Sequence, residues 1–180
     1  MGDDAPIVAC VCRLADHKGA AISFDYGNAE ANGHDDGDGA MEALYFGNDI
    51  WWREKPANST GPWIMADLEN GMYAGDDYID PNALPTWNKD YVTAMLKGRV
   101  CELVLKGGDA QSGPLTELWD GVRPQHNDYN PMRLQGSIIL GTGGDNSIGA
   151  VGSFFEGAMV EGFVPSAAEA AVHATLASRI

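Results

Sequence analysis

Basic residues are scarce in this chain: 11 Lys and Arg stand against 26 Asp and Glu, a formal net charge of −15. With acids spread from Asp3 to Glu169, the chain repels phosphate backbones and anionic headgroups, so nucleic acid and membrane surfaces are not expected partners. A neutral partner meets no such repulsion. Long apolar runs are missing too. None approaches the roughly 20 residues of a spanning helix, and Met1-Gly2-Asp3-Asp4 lacks the basic and apolar parts of a signal peptide. Cysteine is sparse: Cys10, Cys12 and Cys101 cannot all pair within one chain. Neither Cys-x-Cys nor His17, His34, His126 and His173 show zinc-ligand spacing, so no metal site is expected on them. Nothing repeats at a fixed period and no linker-like shift divides the sequence, which predicts one domain over residues 1–180.

What is present is a core-forming composition, 44% hydrophobic, and 23 glycines spaced between short β-type runs. This is the pattern of an antiparallel all-β domain. Strands are expected over 20–26, 42–46, 63–69, 91–97, 100–106, 115–119, 137–140 and 153–160, with Gly98-Arg99 as a two-residue hairpin turn. Pro165-Ser166 ahead of Ala167, Ala168, Glu169, Ala170 and Ala171 predicts a capped helix running towards Ser178. Polar loops over 31–40, 48–61 and 75–90 would either edge a binding face or be surplus surface. His34-Asp35-Asp36-Gly37-Asp38-Gly39 lacks the closing glutamate of a calcium loop and reads as a solvated turn. Asn58-Ser59-Thr60 is a glycosylation sequon that matters only in a secreted chain.

Two places could carry chemistry. Strand alternation over 63–69 sends Ile64, Ala66 and Leu68 to one face and Trp63, Met65, Asp67 and Glu69 to the other. Carboxylates beside an aromatic suit a sugar, whose C–H faces stack on rings while its hydroxyls donate to carboxylate oxygens. The competing reading is a solvent-facing strand with ordinary surface acids. The second place is Gly141-Thr142-Gly143-Gly144-Asp145-Asn146-Ser147, which follows an apolar run. No lysine lies in it and no helix pattern follows, which excludes a phosphate cradle. Its glycines would let the backbone approach a ligand and deliver the Asp145 carboxyl group, or the segment simply joins two strands.

Three ordered segments carry a resemblance. They are Phe24-Asp25-Tyr26-Gly27-Asn28-Ala29-Glu30, the run from Gly61-Pro62-Trp63 to Glu69-Asn70-Gly71, and the run from Gly136-Ser137-Ile138 to Asp145-Asn146-Ser147. Together with Val92 to Lys97, Lys106 to Gly113 and Phe154-Phe155-Glu156-Gly157, they resemble the α-L-arabinofuranosidase B family, glycoside hydrolase family 54, from about Ala20 onward and over the later part of its catalytic domain. The resemblance implies a concanavalin-like antiparallel β-sandwich with a short C-terminal helix. It also implies a retaining hydrolase of arabinan and arabinoxylan, an extracellular setting, and no cofactor. It places the nucleophile at Glu69 and the general acid/base at Asp145. Sugar-binding positions fall on Asp67, Asn70, Gly144, Trp52 and Met72. Asp67 and Glu69, two residues apart on one strand and about 7 Å between Cα atoms, form a competing catalytic pair.

Departures from the family matter equally. Two adjacent cysteines, which form a vicinal disulfide against the sugar in the family, are replaced here by Ile22 and Ser23. The family's N-terminal section of the sandwich and its C-terminal arabinose-binding module are also missing. Strand edges left open would recruit a second copy or a partner chain. The functions that follow are an arabinofuranosidase acting on an arabinose-containing polysaccharide or oligosaccharide, a non-catalytic sugar-binding protein, or a self-assembling structural protein on the same scaffold.

Overall fold

The computed structural model describes residues 7–13 as backbone, and residues 24–34, 39–48, 61–69, 71–76, 84–125, 129, 132–143 and 152–179 in full. Trp52, Ile22, Ser23, Asn70, Gly144 and Asp145 lie outside the described residues, as do the sequon at Asn58 and most of the acidic 34–39 segment. The described strands are β1 (Ile7–Arg13), β2 (Asp25–Asn28), β3 (Ala43–Gly47), β4 (Trp63–Asp67), β5 (Met72–Tyr73), β6 (Val92–Arg99), β7 (Glu102–Asp109), β8 (Thr116–Val122), β9 (Ile138–Leu140) and β10 (Ser153–Val160), followed by helix α1 (Ser166–Ala177).

They form an antiparallel β-sandwich. One five-stranded sheet has the order β10-β1-β6-β7-β8 and the other β5-β4-β3-β2-β9. β1 stands over β2, β6 over β3 and β7 over β4. Alternation builds the layer between the sheets: Leu44, Phe46, Ile64, Ala66 and Leu68 from the second sheet meet Val92, Ala94, Leu96, Leu103 and Leu105 from the first. Each such side chain taken out of water contributes about 1.5 to 3 kcal/mol.

Several expectations are corrected. β1 lies outside the expected strands, since Ile7-Val8-Ala9-Cys10-Val11-Cys12 has no polar alternation, yet it occupies an interior position of the first sheet, paired with both β10 and β6. The hairpin turn falls two residues later than expected: Arg99 pairs with Glu102 and the turn residues are Val100 and Cys101, the latter at φ 63. Gly98 lies inside β6, where a Cβ would stand 2.3 Å from Arg123 Nη2 and 3.0 Å from Glu42 Oε2. Its lack of a side chain thus makes room for a buried ion pair, Arg123 to Glu42 at 3.5 Å, with both side chains out of solvent. α1 starts where expected, but its N-cap is Pro165 and no side chain caps it. The Pro165 carbonyl accepts from the Ala168 and Glu169 amides instead.

α1 is tied to the outer face of the first sheet by charge. Glu169 sits between Lys97 on β6 and Lys106 on β7, the latter at 2.6 Å, and Lys97 also donates to the Val164 carbonyl at 3.1 Å. His173 Nδ1 meets Thr93 Oγ1 at 3.1 Å and its Nε2 meets the Gly113 carbonyl at 3.0 Å.

Candidate active site

The candidate site lies on the outer face of the second sheet, where strand register lines up three rows. Asp25, Tyr45 and Met65 form one. Gly27, Ala43, Asp67 and Met72 form the next. Gly47 and Trp63 form the third. Polar and apolar members are alike buried: Tyr45, Trp63, Met65 and Met72 make a second apolar cluster with Ala74 and Leu84, and Asp25 and Asp67 are 0% and 6% exposed. The reading of this face as ordinary solvated strand is therefore wrong. So is a sugar platform at Trp63, which is fully buried as a packing residue.

Glu69 is built differently from the strand that leads to it. β4 ends at Asp67, the Leu68 amide donates to the Gly71 carbonyl at 3.0 Å, and Glu69 adopts φ 65. The strand expected to run through Glu69 thus stops at Asp67, and the chain turns at Glu69. Left-handed backbone disfavours a glutamate by roughly 1 to 3 kcal/mol, and such outliers persist where surrounding contacts over-determine them. Those contacts are visible. Leu68 is fully buried in the core, and its carbonyl accepts from the Tyr129 hydroxyl. Glu69 is 3% exposed, and its Oε2 accepts the Ala40 amide at 2.9 Å. A charge-assisted bond of this kind fixes the carboxylate's orientation.

Met72 pairs with Asp67 across the β4–β5 ladder and is buried. Of the glycine-rich segment the structure describes Gly141 to Gly143. Gly141, at φ 77, donates its amide to the Asp25 carbonyl at 2.9 Å, so the chain passes from β9 into that segment beside Asp25. Asp25, inside the Phe-Asp-Tyr-Gly motif, shares this face with Asp67, a placement visible only from its pairing with Tyr45.

Residues 2–179 match the family described as Alpha-L-arabinofuranosidase B, catalytic. The chain belongs to that family. The match includes β1, so the kinship reaches further towards the N-terminus than residue 20. An α-L-arabinofuranosidase of Hypocrea jecorina is 46% identical over 160 residues, covering 89% of this chain and 32% of the relative. Alpha-L-arabinofuranosidase B of Aspergillus oryzae is 44% identical over the same length, covering 89% and 31%. Among solved structures, a glycoside hydrolase family 54 arabinofuranosidase soaked with 4-nitrophenyl α-L-arabinofuranoside superposes with a TM-score of 0.86 at 39% identity. An arabinofuranosidase complexed with arabinofuranosyl-α-1,2-xylobiose gives 0.85 at 39% identity. Both superpositions cover 98% of this chain and 36% of the solved one. The chain thus spans about a third of the length of its family relatives.

Proposed function

We propose that this chain carries the catalytic face of a retaining α-L-arabinofuranosidase, which removes terminal arabinofuranosyl residues from arabinan or arabinoxylan side chains. The supporting observation is Glu69: a buried carboxylate that accepts a backbone amide, on a residue with left-handed backbone, in a chain of this family. In the first step a Glu69 oxygen attacks the anomeric carbon. The bond from that carbon to the glycosidic oxygen breaks with its electron pair going to oxygen, which takes a proton from the Asp145 carboxylic acid. In the second step Asp145 takes a proton from water, the water oxygen attacks the same carbon, and the bond to Glu69 breaks to return the carboxylate. Two inversions retain configuration, and the chemistry needs the two carboxyl groups about 5 to 5.5 Å apart.

Asp67, Asn70, Gly144, Trp52 and Met72 would bind the sugar, with Ile22 and Ser23 lining the part of the pocket that cysteines form in the family. The ligand is an arabinose-containing polysaccharide or oligosaccharide, neutral and so compatible with a net charge of −15. Polymers of this kind lie outside cells, which favours an extracellular setting. The layer shared by the two sheets supports residues 1–180 as one folding unit. Its outermost strands β9 and β10 expose Ile138, Leu140, Phe155 and Val160, which supports completion of the sandwich by a second copy or a partner chain. Release of 4-nitrophenol from 4-nitrophenyl α-L-arabinofuranoside tests the activity. Turnover by the wild-type chain that falls at least about 10³-fold in Glu69→Gln is the expected result. A Glu69→Gln variant as active as wild type would remove Glu69 from the mechanism.

A further inference from the structure

From the hydrogen bonds behind Glu69 we infer that Asn28 is a positioning residue for the nucleophile, an assignment that rests on Glu69 having the catalytic role proposed above. Asn28 ends β2, and its side chain holds the carbonyl of Ala40, the residue whose amide grips Glu69. Its Nδ2 has two protons and two short acceptors, the Ala40 carbonyl at 2.7 Å and the Gln135 carbonyl at 2.7 Å, with the Ala29 carbonyl further off at 3.2 Å. Its Oδ1 accepts the Glu42 amide at 3.0 Å. The Ala40 carbonyl takes a second bond from the Gln135 amide at 3.0 Å, and the Arg133 amide donates to the Gly39 carbonyl at 2.8 Å. The peptides on both sides of the Ala40 Cα are therefore held, Gly39–Ala40 by Arg133 and Ala40–Met41 by Asn28 and Gln135, and the amide of the first donates to Glu69 Oε2 at 2.9 Å. One side chain thereby joins three stretches distant in sequence: the end of β2, the approach to β3 and the segment before β9.

The chemistry calls for an amide side chain at this position. A carboxylate in its place would set an oxygen against two carbonyl oxygens, and an aliphatic group would leave the Ala40 carbonyl short of a donor and the Glu42 amide of an acceptor. Either change loosens the Ala40–Met41 peptide and, through the shared Ala40 Cα, the amide on Glu69; a nucleophile displaced by about 1 Å loses on the order of 10²-fold in rate while substrate binding is spared.

The test uses Asn28→Asp, which keeps size and the acceptor for Glu42, and Asn28→Ser, which keeps a single donor. Glu169→Gln serves as a destabilised control on the opposite sheet. Hydrogen exchange of the Ala40 amide and steady-state kinetics on 4-nitrophenyl α-L-arabinofuranoside are measured on all of them. The expected result is exchange at Ala40 accelerated at least tenfold in Asn28→Asp, and kcat lowered about 10- to 100-fold with KM within threefold of wild type. Asn28→Ser should lie between the two, and Glu169→Gln should keep kcat per folded molecule. Unchanged exchange at Ala40, or a loss of kcat no larger than the control's at equal loss of thermal stability, would overturn the assignment. So would failure of both Asn28 variants to fold while the control folds. An inactive wild-type chain, or an active Glu69→Gln, would sink the catalytic reading alone; the Ala40 exchange would still decide whether Asn28 fixes the amide that holds Glu69.

Discussion

Glu69 departs from what its neighbours' pattern predicts, and the departure is its most informative property. A glutamate in left-handed backbone is stabilised here from both sides, by Leu68 anchored in the core and by the Ala40 amide on its carboxylate. Conformational cost of that kind is tolerated where geometry matters more than stability. Glu69→Gln retains a carbonyl oxygen for the Ala40 amide, so its thermal midpoint should stay within a few degrees of wild type while turnover is lost. Asp145→Asn should discriminate between substrates. Aryl arabinosides with good leaving groups need little protonation and should lose little in the first step, whereas alkyl arabinosides should lose about 10² to 10⁴-fold. Equal losses on both, measured as kcat/KM, would argue against an acid/base role for Asp145.

Among the elements, α1 and β6 show how buried charge is managed on a strongly acidic chain. Burial alone would raise the Glu169 pKa, but hydrogen bonds from Lys106 and Lys97 outweigh it and hold the carboxyl below its usual range. A folded-state pKa below the unfolded value means stability that is present above the unfolded pKa, about 4.3, and lost as pH falls through the folded one. α1 docking should therefore weaken on acidification below about pH 4, seen as accelerated hydrogen exchange in α1. Glu169→Ala leaves two buried ammonium groups with no anion between them and should cost about 3 to 5 kcal/mol in urea unfolding. Gly98→Ala should cost about 1 to 3 kcal/mol by driving a methyl into the Arg123–Glu42 pair. The elements also show where sequence reading succeeds. β3, β10 and α1 are legible because glycines and polar loops bound the first two as short β-type runs and an alanine run follows Pro165 in the third. β1 is not, since an unbroken apolar hexapeptide has no period to read. The hairpin was misplaced because Gly98 suggests a turn, while the reason for its glycine is a Glu42–Arg123 pair contributed by segments far away in sequence.

For the molecule as a whole, the resemblance carried by three motifs gave the family and the sandwich, while the site was legible only in part. Glu69, Asp67 and Met72 are found together around β4 and β5, but Asp25 and Asn28 needed the strand register and the loop contacts, which link residues more than a hundred positions apart. The sandwich edge at β9 and β10 exposes apolar side chains in a chain that spans a third of its relatives. Light scattering at micromolar concentration should find more than one chain per particle. A stable monomer with a cooperative thermal transition would mean that this edge needs no cover. Whether Glu69 forms the covalent bond to the sugar is decided by inactivating the chain with an electrophilic arabinofuranose analogue and mapping the adduct by peptide mass spectrometry. A single adduct on Glu69, absent in Glu69→Gln, is expected; an adduct on Asp67 or Asp25 instead would make another carboxylate the nucleophile.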